Sequence, residues 1–116
     1  MMLDILNLLI MSYRYMRLVL FFDLPVETPK QRHNYRVLVR GIKRNGFYML
    51  QKSVYIKLCL DSQAADSSIK QIYEFVPNEG SIFVLSVTEK QFASIKFILG
   101  EAITDVINND SRLIEL

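Results

Sequence analysis

Cysteine is nearly absent from this chain: Cys59 stands alone among 116 residues. A single thiol excludes an internal disulfide framework and any zinc site built from several cysteines. Cys59 follows an apolar segment and reads as a small core residue. Histidine is as scarce, with His33 the sole one and no acid–base partner evident, so a Ser–His or Cys–His nucleophile is not expected. The four glycines (41, 46, 80, 100) form neither a phosphate loop nor a dinucleotide fingerprint. Long apolar runs are missing too. The opening Met1–Ile10 is broken by Asp4 and Asn7, far short of the roughly 20 residues a membrane span needs. It also lacks the positive start and cleavage site of a secretory signal. Residues 1–15 are therefore read as an N-terminal extension, with Met11 and Met16 as alternative starts. What remains is 51% hydrophobic and 22% charged, the composition of one ordinary globular domain, expected to be soluble, reduced and cytoplasmic.

Charge is unevenly spread. Residues 17–57 hold nine Lys/Arg against two acids, whereas residues 58–116 hold four against nine. The net +2 hides this polarity, which suggests a basic face for a polyanion and a second half free for another partner.

The core pattern begins with Leu18-Val-Leu-Phe-Phe22, an apolar run stopped by Asp23-Leu24-Pro25, as for a strand buried on both faces. Thr28, Pro29 and Gln31 make a capping box with proline at the first helical position. They predict a helix over about 29–45, with Tyr35, Leu38 and Ile42 on its apolar stripe and Gly46 as its stop. Phe47–Leu50 and Ser53–Leu58 have strand composition but opposite phase, so a bulge or tight turn is required near Gln51-Lys52. Asp61 or Ser62 starts a second helix carrying Ala65, Ile69, Ile72 and Val76, ended by Pro77 and Gly80. Ile82–Val87 reads as a further buried strand, and Ser94–Leu99, apolar at 95, 97 and 99, as an added one. The order predicts an α+β, ferredoxin-like split βαβ, a two-layer sandwich over residues 16–100. Residues 101–116 are a polar linker and a terminal apolar segment. Strands apolar on both faces leave one sheet face to be covered, and a second copy of the chain is the simplest cover.

Two features could carry chemistry. Asp23 stands where a buried strand ends, and metal-assisted phosphodiester hydrolysis needs hard oxygen ligands of this kind. One carboxylate per chain is too few, but two copies about a two-fold axis supply a pair. A strand-end aspartate that merely bonds its own turn is the plain alternative. The second feature is Arg32, Arg36, Arg40 and Lys43, within roughly 80° of one another around the first helix, with Lys30 and Arg44 further round. No acid follows Glu27 until Asp61, whereas an ordinary solvated helix face mixes signs. Such a stripe suits a phosphate backbone.

Taken as a set, Ser12–Pro25, Gln51-Lys-Ser-Val-Tyr-Ile-Lys-Leu58 and Ser86-Val-Thr-Glu-Lys-Gln-Phe92 resemble the small CRISPR adaptation protein family, Cas-two, of type II systems. The resemblance implies a homodimer with facing sheets, whose terminal strand (here Leu113, Ile114 and Leu116) contacts the partner. It implies Asp23 as a catalytic Mg2+ (or other divalent cation) ligand, one from each chain, in a metal-dependent endonuclease acting on RNA or DNA. It also implies a spacer role in CRISPR spacer acquisition, bridging dimers of the integrase Cas-one along double-stranded prespacer DNA. The function expected is such a dimeric scaffold, with Lys30, Arg32, Arg36, Arg40, Lys43 and Arg44 on the DNA backbone. A true endoribonuclease, and a small-ligand regulatory domain of the same fold, are the alternatives.

Overall fold

The computed structural model describes residues 15–103. The expectations for residues 1–14, for the linker beyond Ile103, and for Leu113, Ile114 and Leu116 lie outside the described residues. Within them, β1 (Met16–Asp23) leads to α1 (Pro29–Arg44), the hairpin β2 (Tyr48–Gln51) and β3 (Val54–Cys59), α2 (Ser62–Ile72), a 3-10 turn (Tyr73–Phe75), β4 (Ser81–Thr88) and α3 (Glu89–Ala93). The sheet order is β2-β3-β1-β4, antiparallel throughout. This is the α+β ferredoxin-like arrangement expected.

Local chemistry sets the boundaries. The Thr28 hydroxyl accepts from the Gln31 N–H at 3.1 Å, and Gln31 Oε1 accepts from Thr28 N–H at 3.0 Å, closing the capping box of α1. Gly46, at φ +89°, turns the chain out of the helix. Asp61 caps α2 by accepting from Ala64 N–H at 2.8 Å. That helix stops at Ile72 and tightens into the 3-10 turn, so Val76 falls outside it and is exposed. The phase change between β2 and β3 is a register shift between Met49 and Gln51, followed by a turn with Ser53 at φ +64°.

Strand alternation divides the core in two. Leu18, Leu20 and Phe22 face α1 and α2, packing with Leu38, Ile42, Phe47, Tyr55, Ala65 and Ile72. Val19 and Ile56 point the other way, packing with Leu50, Phe92 and Ala102. Here two expectations need correcting. Ser94–Leu99 is not a strand. Thr88 and Gln91 form a second capping box that starts α3 instead, and the chain continues as loop. Nor is the second face left wholly to another copy. After β4, at one edge of the sheet, the chain crosses that face to β2 at the other edge. It lays Phe92, Phe97 and Ala102 over the strands, and Ile103 N–H donates to Leu50 O at 2.8 Å.

Arg17 pins this crossing segment. Its guanidinium donates to both carboxylate oxygens of Glu89, at 2.7 and 2.9 Å, and lies 4.9 Å from the centre of the Phe92 ring. Arg17 is 6% exposed, so this fork-to-fork pair sits largely out of water.

Candidate nucleic-acid interface and carboxylate site

Each predicted cation of α1 is exposed: Lys30, Arg32, Arg36, Arg40, Lys43 and Arg44 all reach solvent. They are presented because the opposite side of the helix, with Leu38, Gly41 and Ile42, is buried. Among the described residues the ion pair Arg17–Glu89 is the one formed, so none of the six helix cations is neutralised by an acid. Arg32 differs from the rest in being held locally. Its Nη1 donates to the carbonyls of Val26 and Glu27 at 3.1 and 2.8 Å, which ties the guanidinium to the loop before the helix. Lys43 and Arg44 occupy the last turn of α1, where the helix dipole favours positive charge.

Three cations of the basic half lie off this helix, and while Lys52 is exposed in the turn between β2 and β3, the other two are held inside the domain. Arg17 is buried against Glu89, and Lys57 donates to Ser68 Oγ at 2.8 Å while lying near the Phe47 ring. Neither carries a sequence signal of burial. His33 is exposed, and Cys59 is buried as expected.

Asp23 is the last residue of β1 and is exposed. Alternation places it on the side of the sheet opposite α1 and α2, in the row of Val19 and Phe21. Its cross-strand partner is Ser81, and the next pair on that face is Phe21 with Phe83, whose rings stack at 5.0 Å. The crossing segment leaves β4 open on this face: Phe83 and Leu85 remain 59% and 53% exposed, whereas Phe21 packs against the covering cluster. Asp23 therefore stands at the rim of an open apolar half-face.

The donor chemistry fits magnesium in a restricted sense. Mg2+ is held by one or two carboxylates and keeps several waters, and Asp23 offers one accessible carboxylate. Among the described residues no group of three or more His, Cys, Asp or Glu gathers to hold a metal. Asp23 belongs to no such cluster within the described residues.

The family model described as "CRISPR associated protein Cas2" matches residues 16–95. The chain is 50% identical to the CRISPR-associated endoribonuclease Cas2 of Treponema denticola over 101 residues, covering 87% of this chain and 100% of that one. It is 41% identical to the protein of the same name from Ligilactobacillus salivarius, with 87% and 100% covered. Against that of Streptococcus mutans the identity is 43%, with 87% and 93% covered. With the matched span taking in the whole four-stranded sheet, Asp23 and the basic helix, the chain belongs to the CRISPR-associated Cas2 family.

Proposed function

We propose that this protein is a dimeric scaffold of CRISPR spacer acquisition. Its α1 cations lie along the backbone of double-stranded prespacer DNA, and the dimer bridges copies of the integrase Cas-one. The observation that carries this reading is the surface of α1: six solvent-facing cations with no acid paired to them among the described residues. Phosphate contacts of this kind position a duplex without reading its bases. They also make binding steeply salt-dependent, with a slope of about −0.9 for each phosphate neutralised. Measuring duplex affinity across salt for Arg36→Glu/Arg40→Glu/Lys43→Glu tests it. We expect about a hundredfold loss or more at low salt, and a slope shallower by about 0.9 for each phosphate no longer neutralised. Unchanged affinity and slope would refute the DNA-binding assignment and favour a small-ligand regulatory domain.

A second reading is supported by the exposed Asp23 carboxylate and by the name endoribonuclease carried by the relatives. In it, two Asp23 side chains across a two-fold axis hold Mg2+, and phosphodiester cleavage is the protein's own activity. A bound Mg2+ supplies Lewis-acid activation of the phosphodiester and of the attacking water. The chain's part is to present the carboxylate at the end of a rigid strand, on a face whose apolar surface excludes water once it is covered. Magnesium-dependent RNA cleavage by the purified protein that Asp23→Asn abolishes would support it. Spacer acquisition that survives Asp23→Asn would confine that activity to a role apart from the scaffold.

A further inference from the structure

The carboxylate of Asp23 is aimed by the backbone that carries it, and one neighbour comes closer to that backbone than any side chain would allow. Asp23 pairs with Ser81, the first residue of β4. Immediately before it, Gly80 holds φ at +99°, a conformation open to glycine and strained for other residues. A Cβ on Gly80 would stand 2.6 Å from the Asp23 carbonyl oxygen, 2.6 Å from Leu24 Cδ2 and 3.1 Å from Leu24 Cα. All three distances fall below the 3.4 Å at which ordinary contact begins. Leu24 has little room to yield. Its side chain is buried in the core on the helix side, and Pro25 behind it restricts its backbone to extended conformations. On the β1 side the relief that remains is a displacement of the Asp23–Leu24 peptide.

We infer that Gly80 is a positioning residue for the Asp23 site. With only hydrogen on its Cα, β4 begins flush against the end of β1, and this approach fixes where the carboxylate stands on the open face. The inference rests on the reading of Asp23 as a metal ligand. Misplacing a functional group by about 1 Å can cost on the order of 100-fold, so a Cβ at this point has ample leverage.

Gly46 supplies the matched control. Its φ is +89°, nearly the same, but a Cβ there would meet only the flexible end of Lys57, at 3.4 Å and beyond. Gly80→Ala and Gly46→Ala therefore carry comparable left-handed strain, and one of them pushes on Asp23. The measurement is Mn2+ binding to the full chain, read by the electron paramagnetic resonance of the free ion, alongside thermal unfolding and magnesium-dependent cleavage. Both variants should melt earlier than the parent. Gly80→Ala should bind Mn2+ on the order of tenfold more weakly, and Gly46→Ala as the parent does. Equal Mn2+ affinity in the two variants overturns the inference. Should Gly80→Ala fail to fold, Gly80→Asn serves in its place, because asparagine tolerates positive φ better yet still brings a Cβ. Parental Mn2+ affinity in folded Gly80→Asn overturns the inference equally. Asp23→Asn separates the two layers. If it abolishes Mn2+ binding while Gly80→Ala and Gly80→Asn leave it intact, the positioning role alone is lost. If it leaves Mn2+ binding intact, the ligand reading falls and the positioning role with it.

Discussion

The two faces of the sheet are closed by unequal means. On one side, α1 and α2 lie over the strands, and Leu18, Leu20, Leu38, Ile42 and Tyr55 are at most 1% exposed. On the other, the crossing segment offers a five-residue helix and a loop. That suffices for Val19, Leu50 and Ile56 but leaves Phe83 and Leu85 more than half exposed. A contiguous apolar patch of this sort marks a contact surface. The difference teaches that apolar residues on both faces of a strand report the need for cover and say nothing about its source. Here the same chain supplies part of the cover, and the uncovered part lies along β4, the strand that pairs with Asp23.

The sharpest way to break this comparison is to charge the open half-face. Phe83→Asp should leave the fold intact, because the side chain is more than half exposed and its loss costs the fold mainly the stacking on Phe21. If a second copy covers this face, self-association should weaken by at least 2 kcal/mol, or about thirtyfold, the scale of a central interface anchor. Sedimentation equilibrium reads this directly. A self-association constant equal to that of the parent would remove the facing-sheet dimer, and with it the paired Asp23 site.

A smaller effect is expected at the closed end. Arg17→Met removes the partner of Glu89 and the cation over Phe92, so the crossing segment loses its pin. Glu89 keeps a 32% exposed side chain and can rehydrate, which holds the cost below that of a fully buried pair, to about 1–2 kcal/mol. Hydrogen exchange should accelerate in residues 89–103 and not in α1 or α2. Uniform acceleration would mean that the segment is integral to the fold and not a separately pinned cover.

Much of this architecture is legible in the chain, because its signals are local. The cap at Thr28, the Gly46 stop, the phase slip between β2 and β3, and the run of cations on α1 each depend on residues within a few positions of one another. The second capping box is equally local: Thr88-Glu-Lys-Gln91 repeats the spacing of Thr28-Pro-Lys-Gln31. It is obscured by the apolar alternation at Ile95, Phe97 and Leu99, which imitates a strand. In the structure Phe97 packs on the sheet while Leu99 is 95% exposed, since this stretch crosses the face and joins no edge there. Asp23 is visible as a carboxylate where an apolar run ends. Arg17 as a buried cation is not, because its partner lies 72 residues away and meets it only through the pairing of β1 with β4. Gly80 reads only as part of a helix stop for the same reason, since its close approach to Asp23 exists only once the two strand ends are side by side.

The gentlest probe of the comparison is alkaline pH, which asks how dry the helix-covered side is. Tyr55 is 1% exposed, stacked at 5.8 Å on Phe22, which in turn meets Tyr35 edge-on at 5.6 Å. Burial raises the Tyr55 phenol above its ordinary value of 10.0, and Tyr35 adds to the rise. Below that pH the phenol is neutral in both the folded and unfolded chain, and its contribution does not vary. Above it, the unfolded chain releases the proton while the folded chain keeps it, so stability falls as pH climbs. Tyr55→Phe removes this one ionisation and keeps the ring packing. Denaturant unfolding at mild and at alkaline pH should show a smaller alkaline loss in Tyr55→Phe than in the parent, with the two alike near neutrality. Identical alkaline losses would mean that the Tyr55 oxygen meets solvent in the folded state. The helix-covered face would then be no drier than the one the crossing segment leaves half open.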